Sequence, residues 1–64
     1  MTNELDTFDY LVSNIRKQMN DVADHVSTGG CDTYDAYAKC CGIIQGLALA
    51  EREILDLKER YENA

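Results

Sequence analysis

Proline and tryptophan are absent from this 64-residue chain, and phenylalanine occurs once. Without proline, no residue carries the ring that breaks a helix interior. Positive charge is scarce: six Lys and Arg stand against twelve Asp and Glu, a net charge of −6. Phosphate binding needs a surplus of Lys and Arg, so no direct nucleic-acid partner is expected. No apolar run approaches the roughly 20 residues that span a bilayer, and no signal-peptide pattern opens the chain. No membrane partner is expected either. Length is short as well. It allows one small domain, residues 1–64, and excludes a two-domain enzyme or a buried cofactor fold of ordinary size. No cofactor is expected.

A chain of this size buries only about 60% of the surface its unfolded state exposes. Small domains offset that with disulfides, a metal or oligomerisation. Cysteine occurs three times, an odd number, and cytosolic chains keep such thiols reduced. A self-association surface is therefore the first thing to look for.

Two stretches carry a sustained heptad. In the first, Met1, Leu5, Phe8, Val12, Ile15, Met19, Val22 and Val26 recur at alternating steps of four and three. This predicts a helix from about residue 3 to 26, capped by Thr2 or Asn3, with Glu4, Asp6 and Asp9 favourable to its dipole. Ser27-Thr28-Gly29-Gly30 is the stop signal, and a Gly-rich loop spans 27–32. Asp32 or Thr33 caps a second helix from about 33 to 62, with Asp35 in its first turn. One seam of that helix runs Ala36, Cys40, Ile43, Leu47, Ala50, Ile54, Leu57 and Tyr61. Two matched seams joined by a short loop predict an all-α fold: a two-helix antiparallel hairpin, coiled-coil-like, completed by oligomerisation or a partner.

The second helix carries more apolar surface than one partner covers. A further stripe passes through Tyr34, Tyr37, Cys41, Ile44, Ala48 and Leu55. A line of small residues, Ala38, Gly42, Gly46 and Ala50, recurs every four positions. A helix apolar on all sides is usually buried on all sides. Each glycine costs about 1 kcal/mol relative to alanine in a helix interior. Close backbone approach to another molecule would compensate. The competing explanation is that the glycines fit beneath a bulky residue of the first helix, such as Phe8 or Met19. The expected interface comprises Tyr37, Cys41, Gly42, Ile44, Gly46, Leu47, Ala48 and Leu55.

His25, Cys31, Cys40 and Cys41 make a poor zinc set by spacing. Cys40 and Cys41 are adjacent on a helix, so their side chains diverge by about 100°. No Cys-x2-Cys pair occurs, and structural zinc normally shows one. No metal is expected. His25 reads as a solvated histidine near a helix C-terminus, and Cys31 as an oxidisable loop thiol. A His25–Cys31 nucleophile would need a pocket and oxyanion donors that a hairpin does not offer, so no enzyme is expected. Asp21, Asp24, Asp32 and Asp35 gather at the hinge pole. They read as a soluble tip or as a dock for a basic protein surface.

The stretch Tyr37-x4-Gly42-x-Ile44-x-Gly46-Leu47-x2-Ala50, followed by Ile54-x-Asp56-Leu57, resembles a pattern in short proteins of tailed bacteriophages. The preceding Gly29-Gly30-Cys31-Asp32-x-Tyr34 fits the same pattern. The resemblance covers about the second half of the chain. It implies a small multi-copy virion or assembly component of the head or head–tail region, found in the virion or host cytoplasm. The implied partners are the chain itself and a larger phage structural protein. It carries over no catalytic residue. The alternative expectation is a small phage-encoded inhibitor or adaptor that binds a host protein.

Overall fold

The computed structural model describes residues 4–63, with the side chains of Glu4 and Leu5 excepted. Two helices account for nearly all of them: α1, Glu4–Ser27, and α2, Tyr34–Glu62. No strand occurs among the described residues, and the helices pack against each other as a hairpin. The expected Thr2 or Asn3 cap and the Met1 and Leu5 seam positions lie outside what is described.

The direction of packing follows from three contacts. Phe8 meets Tyr61 edge-to-face with ring centroids 5.8 Å apart. Asp9 accepts from Lys58 at 2.6 Å, and Arg16 pairs with Glu51. Numbers rise along α1 as they fall along α2, so the helices are antiparallel. The molecule measures 47 × 20 × 11 Å. Its least dimension is the thickness of a single helix. No second layer covers either broad face of the hairpin.

The turn is built from backbone chemistry that the sequence supplies. Gly29 adopts φ +82, a left-handed conformation that costs glycine least. Its N–H donates to Val26 O at 3.2 Å, and the Gly30 N–H donates to His25 O at 2.8 Å. These are the paired bonds of a Schellman motif, which satisfy carbonyls orphaned at the helix end. Thr33 then caps α2: its backbone is extended, and its Oγ1 accepts from Ala36 N at 3.1 Å. Asp35 places negative charge in the first turn of α2.

On α1 the inward row is Phe8, Val12, Ile15, Met19, Val22 and Val26, all at least half-buried. Val12, 8% exposed, is the only buried residue among those described. On α2 the inward row differs from the expected seam. Ala36, Cys40, Leu47 and Ile54 are half-buried as that seam requires. Ile43, Ala50, Leu57 and Tyr61 are exposed, whereas Ile44, Glu51 and Lys58 are half-buried. Cys40, Ile44, Leu47, Ile54 and the two charged positions form a second heptad row, sharing every other member with the first. Glu51 and Lys58 of that row pair with Arg16 and Asp9 on α1.

Candidate functional site

Two regions concentrate chemistry: the hinge pole and the outward face of α2. At the hinge, the Schellman turn folds the chain back over the last turn of α1. The His25 ring lies against Gly30 so closely that a Cβ at position 30 would stand 2.3–2.6 Å from three ring atoms. Glycine at 30 is thus the residue that admits the imidazole. Beyond it comes Cys31, half-buried in the loop, and Cys40 follows in the second turn of α2.

The two sulfurs are 3.4 Å apart, and one thiol donates to the other. That hydrogen bond to Cys40 is the main cause that raises the Cys31 pKa above the ordinary thiol value. Partial desolvation adds to it, as do the nearby Cys40, Cys41 and Asp32. Both cysteines are free, with no disulfide between them. A ring nitrogen of His25 and the sulfurs of Cys31 and Cys40 all lie within 4.8 Å of one another. Cys41 points elsewhere: it hydrogen-bonds Tyr37, whose phenol is thereby pushed up.

By spacing, Cys40 and Cys41 diverge by about 100° on α2 and cannot both face one ion. The hairpin uses Cys40 alone and takes the other two groups from the end of α1 and the loop. Antiparallel pairing is the signal that brings them together, because it sets the last turn of α1 beside the second turn of α2.

The expected interface residues divide into two sets. Ile44, Leu47, Ala48 and Cys41 are half-buried on or beside the row that faces α1. Tyr37, Gly42, Gly46 and Leu55 are exposed. An added Cβ at Gly42 or Gly46 would meet nothing within 4 Å. Neither glycine fits beneath Phe8 or Met19, so close packing inside the chain does not account for them. Ala38 and Ala50 of the same line are exposed too. Leu49, 64% exposed, stands beside Gly42 and Gly46 on that outward side, and Ile43 flanks it at 42%. Towards the distal end the outward side becomes charged, with Glu53, Asp56 and Arg60. No helix is long and apolar enough to cross a membrane among the described residues. Comparison with known protein families, with curated proteins and with solved structures finds no match for this chain.

Proposed function

We propose that the chain is a non-enzymatic structural protein that associates with further copies of itself through the outward face of α2. The observation that carries this reading is the open space at Gly42 and Gly46. Each glycine weakens the helix by about 1 kcal/mol relative to alanine, and nothing within the hairpin offsets that cost. A second helix laid along Ala38, Gly42 and Gly46 would approach closely enough to gain backbone contact, and it would cover Leu49 and Ile43. The hairpin also has an unmet need for burial, because Val12 alone is buried among the described residues, and no side chain of them is fully so.

The resemblance of the second half to short tailed-phage proteins supports a place in a virion or its assembly, present in many copies. A larger structural protein of the same particle would then engage the same face. Sedimentation equilibrium tests the association. The wild-type chain is expected to sediment well above its 7.2 kDa monomer mass. Gly46→Leu is expected to remain helical and to sediment as a monomer, because the new side chain blocks close approach. A wild-type monomer at high concentration, or a Gly46→Leu variant that associates as before, overturns the reading. Mass spectrometry of purified particles at defined copy number separates a virion component from an inhibitor or adaptor of a host protein.

A further inference from the structure

We propose that His25, Cys31 and Cys40 form a zinc site that clamps the hinge of the hairpin. The three donors come from three consecutive pieces of structure: the last turn of α1, the loop and the second turn of α2. One ion bound to all three would tie both helices together at the pole opposite the Phe8–Tyr61 contact.

The geometry fits. Zinc–sulfur bonds of about 2.3 Å at a tetrahedral angle set two coordinated sulfurs about 3.8 Å apart. The Cys31 and Cys40 sulfurs are 3.4 Å apart, within a few tenths of that edge. They are well beyond the disulfide bond length of about 2.05 Å. An imidazole nitrogen within 4.8 Å of both sulfurs is placed to supply a third corner. Gly30 leaves the room for that ring. The half-exposed position leaves the fourth corner to water, as in sites with three protein ligands.

The chemistry of the donor set selects the ion. Two thiolates and an imidazole are soft to borderline ligands, which suit zinc and disfavour magnesium or calcium. Binding converts two thiols to thiolates and releases two protons, with the imidazole coordinating as the neutral base. A divalent charge between the sulfurs stabilises both as thiolates. Asp21, Asp24, Asp32 and Asp35 are all exposed around this pole and favour approach of a cation.

The clamp also answers a need of the fold. A chain of 64 residues with one buried side chain among those described belongs to the size class that relies on staples. The site is independent of the outward face of α2, so either proposal can fail alone.

Cobalt(II) and zinc(II) titration of the reduced, metal-free chain tests the site. One equivalent of cobalt is expected to give the near-ultraviolet thiolate charge-transfer band and the visible bands of tetrahedral coordination. Zinc is expected to displace it and to raise the midpoint of thermal unfolding. Cys31→Ser and Cys40→Ser are each expected to weaken zinc binding by more than about 100-fold, beyond the loss typical of outer-shell partners. His25→Gln is expected to weaken it by at least about 10-fold. Cys41→Ser is the control and leaves affinity within about threefold. Cys31 lies in the loop, so its variant keeps the helices, which far-ultraviolet circular dichroism checks. Absence of the charge-transfer band, its persistence in Cys31→Ser, or an equal loss in Cys41→Ser overturns the proposal.

Discussion

The two helices of this hairpin differ in what they do with their apolar residues. α1 places Phe8, Val12, Ile15, Met19, Val22 and Val26 in one inward row. Much of its remaining surface is polar, although Tyr10 and Leu11 are exposed there. α2 also lines the interface, but it does so with Glu51 and Lys58 among its inward residues. It also leaves apolar residues outside that row: Ile43, Leu49 and Leu57 are exposed, and Gly42 and Gly46 face open space. A helix that gives charged residues the inward row and leaves leucines outside has a second surface to satisfy. The difference between α1 and α2 is why the proposed association is placed on α2.

Core truncation probes that contrast most strongly. Val12→Ala is expected to cost about 2 kcal/mol in urea denaturation, from lost burial and the cavity left behind. Leu49→Ala, at a position 64% exposed, is expected to change the stability of the dilute chain by less than about 0.5 kcal/mol. At high concentration Leu49→Ala instead lowers association. Equal costs for the two variants in dilute solution would mean that the outward face is already packed within one chain, and the contrast would break.

Two glycines sharpen the comparison at a smaller scale. Gly29 sits at φ +82 and closes α1. Gly29→Ala is expected to destabilise the hairpin by about 1 kcal/mol, because a side chain disfavours the left-handed conformation. Gly46 lies in a regular helix with free space around it. Gly46→Ala is expected to stabilise the dilute chain by about 1 kcal/mol. Thermal unfolding at low concentration reads both signs. A loss at Gly46 would show that its Cβ meets something within the monomer.

The helical hairpin was legible because the heptad on α1, the paired glycines and the Thr33 cap agree with one another. The inward row of α2 was less legible. Two heptad rows share Cys40, Leu47 and Ile54 and differ at Ile43 or Ile44, Ala50 or Glu51, and Leu57 or Lys58. Hydropathy favours the first row. The second row is the one turned inward, with Glu51 and Lys58 paired to Arg16 and Asp9 across the helices, and such cross-helix pairs are invisible in a pattern read along one helix. The His25–Cys31–Cys40 group was hidden for a related reason. Its members are six and nine residues apart along the chain and converge only through the turn and the antiparallel return. The open space at Gly42 and Gly46 likewise needed both helices in place before packing beneath Phe8 or Met19 could be set aside.

The smallest expected effect concerns the charged members of the inward row of α2. The hydrogen bond from Lys58 to Asp9 raises the lysine pKa above its ordinary 10.5, and the nearby charges of Asp9 and Glu62 add to the rise. Partial desolvation opposes it. A folded-state pKa above the unfolded value means that the protonated lysine is favoured by folding. Its contribution is fully present below the unfolded value, and it disappears as pH rises through the folded one. Stability should therefore fall above about pH 10.5. Tyr37 and Cys31 are also raised, so they add losses of the same sign at alkaline pH. The part that belongs to Lys58 is the difference between wild type and Lys58→Met, followed by urea midpoint across that range. Lys58→Met should flatten the decline without abolishing it, and Asp9→Asn should do the same. The Asp9 side chain is 62% exposed, so added salt should shrink the difference. A Lys58→Met profile parallel to wild type would show that the Lys58–Asp9 pair contributes nothing to the alkaline decline.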